Sequence, residues 1–145
     1  MSESALFHTL RTHIQPLLGR RELTTDVSVA KVACAVQTSQ GNIYTGINMS
    51  TSCDLGFCAE VSALAQMIQA GETRVSHVVG MNDQGEIIPP CGRCRELLFQ
   101  IDRANIDAQI FLGAGETLTL REMLPHRWQE FWSNREDVPQ QDTVV

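Results

Sequence analysis

The sequence predicts an α/β fold in which helices cover both faces of a mixed sheet, and three observations predict it. Apolar residues recur at helical spacing in three separate stretches, and β-branched stretches alternate with them along the chain. The middle of the first β-branched stretch, Val32, Ala33, Cys34, Ala35 and Val36, is apolar on both faces, as in a strand covered from both sides. With 145 residues, 43% of them hydrophobic and 19% charged, the chain suffices for one domain and is too short for two with separate cores. That domain is expected over 1–133. From 134 to 145 the composition turns polar, periodicity stops and Pro139 intervenes, which predicts a frayed tail.

Leu6, Leu10, Ile14 and Leu17 recur at helical spacing across 4–18, and Gly19 follows where a left-handed cap sits, which predicts the first helix. Residues 27–37 read as a strand inside the sheet, and Ser39-Gln40-Gly41-Asn42 as a hairpin turn into an antiparallel partner over 43–46. A loop over 48–56 leads to a second helix with the stripe Phe57, Val61, Leu64, Ala65 and Ile68, stopping at Gly71. Residues 74–82, centred on Val78 and Val79, form the next strand. After a turn at 83–85, Pro89 and Pro90 interrupt regular structure, and a third helix from near Cys91 carries Cys94, Leu97, Leu98 and Ile101. Residues 108–112 read as a strand, 113–115 as a turn and 118–124 as a short strand or helix ended by Pro125, with Trp128, Phe131 and Trp132 in a terminal helix that packs back.

Eleven Lys and Arg against 17 Asp and Glu give a net charge of -6, which repels a polyphosphate backbone and argues against nucleic acid polymers as partners. The longest apolar run, Val32 to Val36, is far short of the roughly 18 residues of a membrane span. His8, Arg11 and His13 break up the N-terminal apolar residues, so no secretory block is evident and the protein reads as cytoplasmic. Five cysteines are an odd number for a disulfide framework, and their spacing suggests metal binding or catalysis instead. His8, His13, His77 and His126 have no ligand-like spacing.

Two short stretches carry the chemistry: Cys58-Ala59-Glu60 opening the second helix and Pro90-Cys91-Gly92-Arg93-Cys94 opening the third. Unpaired amides and the positive dipole end at a helix N-terminus favour thiolate, the form that binds zinc. Cys91 and Cys94, three apart, lie about 60° apart around a helix and can reach one ion. Cys58 and Glu60, two apart, would diverge by about 200° in mid-helix and can cooperate only at a helix end. Three thiolates leave a fourth tetrahedral position open to water, the mark of a catalytic rather than a structural zinc, and Glu60 is placed to move protons as general acid and base. Three thiolates on Zn²⁺ total one negative charge. The two helix ends and a neighbouring arginine, with Arg95 preferred over Arg93, would offset it.

At these residues the sequence resembles the zinc-dependent cytidine deaminase superfamily, whose signature is His or Cys, a spacer, Glu and then Pro-Cys-x-x-Cys. The resemblance extends from about Val32 through Gly41 and Gly46-Ile47-Asn48 to Glu122-Met123-Leu124-Pro125, covering roughly 27–128. It implies a three-layer α/β/α sandwich, one Zn²⁺ per chain, and hydrolytic release of ammonia from a cytosine-type nucleoside or analogue. It also implies a homo-oligomer, a tetramer or dimer. Cys rather than His at the first ligand position resembles the small-nucleoside branch. Asn48 and Ala59 fall at substrate-binding positions, although turn chemistry alone also favours Asn at 48. The departures cluster there too. Asn48-Met49-Ser50 lacks the Glu that holds a ribose, its loop is one residue shorter, Ala30 replaces an aromatic residue, and Val61 stands where cytidine deaminases carry an Arg. Cys58-Ala59-Glu60-Val61 and Pro90-Cys91-Gly92-Arg93-Cys94-Arg95-Glu96-Leu97 look closer to blasticidin S deaminases, so cytidine or deoxycytidine competes with a blasticidin S-like nucleoside as substrate.

Cys53 opens a second reading. As a fourth thiolate it would close the site into a structural cage and make the protein a non-catalytic, zinc-stabilised binding or assembly module. Cys53 reads better as a free loop thiol, and Cys34 as strand packing.

Overall fold

A computed structural model describes residues 2–113 and 115–131. Trp132 and the 134–145 tail lie outside them. The strand that is apolar on both faces is β2 (Val27–Thr38), with β1 (Arg21–Glu22) before it and β3 (Ile43–Thr51) after it. β2 pairs antiparallel with β3 along one edge. Its other edge pairs first with β1 and then with β4 (Val75–Asn82), both antiparallel. β4 pairs in parallel with β6 (Gln109–Gly113), which pairs antiparallel with β7 (Glu116–Thr119), and the short β5 (Ile87–Ile88) adds to β4 at Gly80 and Met81.

Side chains alternate across a strand, so successive residues of one strand serve opposite layers. Ala33 and Ala35 of β2, with Val79 and Met81 of β4, meet Leu6, Leu10 and Ile14 of α1 (Glu3–Ile14) on one face. Cys34, Val36 and Val78 meet Ala63, Leu64 and Met67 of α2 (Ala59–Gln69) and Leu98 of α3 (Gly92–Ile101) on the other. The result is the three-layer α/β/α sandwich with a mixed sheet. Asn105, fully buried, ties the layers together: it accepts from the Val75 amide (2.8 Å) and donates to the carbonyls of Thr73 and Leu98 (both 3.0 Å).

Five elements differ from the sequence reading. The first helix ends at Ile14 because Pro16 removes a donor, and Gln15–Leu17 form a 3₁₀ turn. The hairpin partner runs on to Thr51, through residues expected to be loop. Val27, Ser28 and Val29 pair with Thr51, Ser50 and Met49, and a bulge between Val29 and Ala33 keeps the longer strand in register. In α2 the buried face is Ala59, Glu60, Ala63, Leu64 and Met67, whereas Ile68 is 49% exposed. Small residues were favoured there because α2 lies almost against the backbone of β3: a Cβ on Gly46 would sit 2.5 Å from the Ala59 carbonyl oxygen. Residues 118–124 are neither strand nor helix alone. β7 ends at Thr119, which caps α4 (Leu120–Met123) in a capping box with Glu122. The terminal turn, Trp128–Phe131, is a single 3₁₀ turn.

Candidate active site

Cys58 and Cys91 occupy the same position on two helices. Each is the N-cap residue, with extended backbone (ψ 157° and 167°), and neither side chain caps its own helix. A serine or aspartate there would fold back onto the first-turn amides. The sulfurs instead approach each other to 3.6 Å, and with Cys94, the third residue of α3, they form a group whose Sγ atoms all lie within 4.8 Å. Three thiolates at 2.3 Å from a tetrahedral zinc would be about 3.8 Å apart, so the donor set and its spacing fit that ion. Because Cys58 is non-helical, the 200° divergence of a mid-helix pair does not apply. Glu60, in the first turn of α2, reaches the same place: its Oε2 accepts from the Cys94 thiol at 3.6 Å.

Burial governs the electrostatics. Glu60 is only 6% exposed, and desolvation raises its carboxyl above the ordinary range, with its own backbone amide and the Cys94 thiol pulling partly back. Desolvation likewise pushes Cys94 far up, reinforced by the Glu60 charge, and raises Cys58. For Cys91 desolvation is outweighed by hydrogen bonds from the Cys94 amide and the other two thiols, and its pKa is lowered. A buried carboxyl with a raised pKa beside a group of thiols has the properties of a proton carrier.

The group opens onto a cleft of ≈ 470 Å³. Ala59, fully buried as the first residue of α2, lines it beside Glu60; Phe57, Ile88 and Pro89 are apolar wall residues. Asn48 also lines the cleft, and its side chain works within the fold as well: Oδ1 accepts from the Val32 amide at the β2 bulge (2.8 Å), and Nδ2 donates to Ser50 Oγ (3.2 Å). One amide hydrogen and one lone pair remain for another partner.

Arg95 makes its hydrogen bonds to backbone. It donates from Nε to the Pro90 carbonyl (2.8 Å) and from a terminal nitrogen to the Met123 carbonyl (3.4 Å), tying the turn before Cys91 to the end of α4. Cys53 is exposed, with φ +58°, and among the described residues the ligand-capable group comprises Cys58, Cys91 and Cys94 without it. Cys34 is fully buried, and desolvation followed by the Glu60 charge raises its thiol well above the ordinary value, leaving it inert. Sequence reasoning missed Asp54 at the cleft; its only signal was a carboxylate in an otherwise uncharged segment from 48 to 59.

A family model described as the cytidine and deoxycytidylate deaminase zinc-binding region matches residues 13–109. The chain is 30% identical over 100 residues to a cytidine deaminase of Halalkalibacterium halodurans, covering 66% of this chain and 74% of that protein. It is 33% identical over 78 residues to a cytidine deaminase of Mycoplasma genitalium, covering 52% of this chain and 59% of that one. In fold it is similar to the crystal structure of cytidine deaminase from Mycobacterium tuberculosis, with TM-score 0.70 and 22% identity over 84% of this chain and 96% of that one. The match spans both thiol-bearing helix starts, and the chain belongs to the cytidine and deoxycytidylate deaminase zinc-binding family.

Proposed function

We propose that the chain is a zinc-dependent deaminase that hydrolyses a cytosine-type nucleoside or nucleoside analogue, with Cys58, Cys91 and Cys94 holding the ion and Glu60 moving the protons. The observation that carries this reading is a buried carboxylate 3.6 Å from one of three clustered thiols, beside a cleft large enough for a nucleoside. When bound, zinc supplies Lewis acidity at an open fourth position, which brings the ionisation of water near neutral pH. Glu60 accepts the proton released as water oxygen bonds to the amino-bearing ring carbon and passes it to the adjacent ring nitrogen. Glu60 then takes the remaining proton of the added hydroxyl and delivers it to the amino group as the C–N bond breaks, so that ammonia leaves and a ring carbonyl remains. The raised pKa of Glu60 suits both halves of that cycle, since a carboxyl of ordinary acidity is a poor donor near neutral pH.

Other groups act by position. The Ala59 amide, in the first turn of α2, has no intrahelical partner and is available to a substrate carbonyl. Asn48 retains a donor and an acceptor for a substituent on the base. Arg95 fixes the Pro90–Cys91 turn and so the direction of the Cys91 sulfur. The two helix N-termini favour the negative charge of the thiolates.

A homo-oligomer belongs to this reading. It is supported by exposed large apolar side chains, Leu55 in the loop before α2 (77% exposed) and Ile68 near the end of α2 (49%). Sedimentation equilibrium should show a dimer or tetramer that is weakened by Leu55→Glu. A reducing compartment such as the cytoplasm also fits, because the ligands must remain free thiols.

The test is Glu60→Gln. It should retain one zinc per chain and the wild-type unfolding temperature while ammonia release falls by at least about 10³-fold, within the range seen when a single essential polar group is removed. Retained turnover with zinc in place would eliminate Glu60 as the proton carrier.

A further inference from the structure

Two charged side chains border the outer part of the cleft, Asp54 and Arg93. Both are exposed, and among the described residues neither side chain is engaged in a hydrogen bond or ion pair. Asp54 is held there by an anchored loop. Met49 and Phe57 close its base with a reciprocal pair of backbone hydrogen bonds (3.0 and 2.9 Å). The Ser52 amide reaches the Asp26 carbonyl (3.3 Å), and the Ser52 hydroxyl reaches the Asp26 carboxylate (3.4 Å). Gly56 packs so tightly on the Met49 carbonyl that a Cβ would not fit. Within this frame Cys53 and Asp54 both take left-handed backbone, φ +58° and +54°, a region that aspartate enters more readily than cysteine. The turn thus holds Asp54 among the residues that line the cleft.

The balance of local charge bears on what the carboxylate is for. Glu60 is buried beside the thiols, so away from them the charged residues lining the cleft are Asp54 and Arg93, one of each sign, in a chain that carries -6 as a whole. A phosphate group there would meet a carboxylate beside the one guanidinium and the overall negative field, whereas a hydrogen-bond donor meets an acceptor with free lone pairs.

We infer that Asp54 determines specificity for the part of the substrate beyond the base: it accepts hydrogen bonds from a substituent rich in donors, either sugar hydroxyls or an ammonium group, and selects such nucleosides over their phosphorylated forms. This rests on the deaminase reading above. Asp54 takes no part in the bond-breaking steps.

The experiment uses the zinc-loaded full chain and measures ammonia release, as kcat/KM, from cytidine, 2′,3′-dideoxycytidine, 3′-amino-2′,3′-dideoxycytidine and cytidine 5′-monophosphate. Wild type, Asp54→Asn and Asp54→Gly are compared, with zinc content and unfolding temperature as controls. Asn and Gly both tolerate the left-handed backbone, so the changes are confined to the carboxylate. Asp54→Gly should lose about 10–100-fold on cytidine or on the amino analogue, the worth of a hydrogen bond to a charged group. It should change less than about threefold on the dideoxy compound, with Asp54→Asn intermediate. Which of the two substrates loses more distinguishes hydroxyl from ammonium. Equal losses on all substrates would reassign Asp54 to the fold and overturn the inference. So would no loss on any, or cytidine 5′-monophosphate as the best substrate through an Arg93-dependent preference. If zinc-loaded wild type released ammonia neither from any of the four compounds nor from blasticidin S, the deaminase reading itself would fail and this inference with it.

Discussion

One methyl group added at Gly46 should disarm the site from the far side of α2. An alanine Cβ there would lie 2.5 Å from the Ala59 carbonyl oxygen and 2.7 Å from the Ser62 Cβ, and closer still to the Ala63 amide nitrogen, against ordinary contacts of 3.4 Å or more. Two of the three obstacles are helix backbone, so rotating a side chain does not relieve the overlap, and α2 must move away from β3 by about 1 Å. Overpacking of this kind costs about 1–3 kcal/mol, and a rigid obstacle puts Gly46→Ala near the upper end. For a chain of this size about 3 kcal/mol lowers the unfolding temperature by roughly 10 °C. The displaced segment is the first turn of α2, which carries Cys58 and Glu60. A misplacement of about 1 Å at reacting groups costs about 10²-fold in rate. Thermal unfolding, zinc content and ammonia release would be measured on the same preparation. Gly92→Ala is the stability control, because a Cβ there meets nothing within 4 Å; it should stay within about 0.5 kcal/mol of wild type. If Gly46→Ala unfolded within about 2 °C of wild type and kept full turnover, the close approach of α2 to β3 would not be what aims the site.

Removing zinc with a chelator should lower the unfolding temperature, and readdition should restore it: with free zinc at about 1,000 times its dissociation constant, binding stabilises the fold by about 4 kcal/mol. Stoichiometry should be one ion per chain and unchanged in Cys53→Ser; loss of zinc in that variant would restore the four-thiolate cage. At the opposite end of α2, Glu72 is buried, and its carboxyl is held below the usual range by the Thr38 hydroxyl, then the Tyr44 phenol (2.6 Å) and the Asn42 amide (2.8 Å). Because the folded pKa is the lower one, this group's contribution to stability is complete above about 4.5 and drains away as pH falls through the folded value. Urea midpoints between about pH 3 and 6 should therefore fall less steeply in Glu72→Gln than in wild type, and parallel slopes would refute the assignment.

The fold was legible wherever burial imposed a period. Both-faced burial at Val32–Val36 could be read because a strand covered on two sides has no polar alternation to offer, and α1 because Leu6, Leu10 and Ile14 all face the sheet. The reading of α2 failed for the converse reason. Its inner face is set by contact between backbones at Gly46, so Ala59 and Ala63 are inside, and the larger Ile68 lies on the outside. Hydrophobic size is then an incomplete guide, since Leu64 and Met67 are inside while Ile68 is not. The extension of β3 to Thr51 was hidden because Asn48, Met49, Ser50 and Thr51 are half-buried or exposed beside a cleft and carry no apolar alternation. The Thr119–Glu122 capping box was legible in hindsight, since a strand that ends in a threonine three residues before a glutamate starts a helix.

The thiol site could be read almost completely because its geometry is local twice over. Each ligand sits on a helix start, and a helix start fixes where an N-cap side chain points, so the sequence needs only the sheet to bring two such starts together. The substrate end has no such economy. Asp54 reaches the cleft through a turn held by Asp26, Met49 and Phe57, residues between 3 and 28 positions away whose contacts, apart from the Ser52 hydroxyl on the Asp26 carboxylate, are backbone and therefore silent in side-chain identity. Asn48 shows the same thing from the other side: its carbonyl oxygen accepts from the amide at a bulge 16 residues earlier, a demand no local pattern announces. It follows that exchanging residues in 50–55 should alter which nucleoside is deaminated while leaving zinc content untouched, because Ser50, Thr51 and Asp54 line the cleft and the segment contains none of Cys58, Cys91 and Cys94. Loss of the metal on exchanging that loop would mean that the two ends of the cleft are not separable.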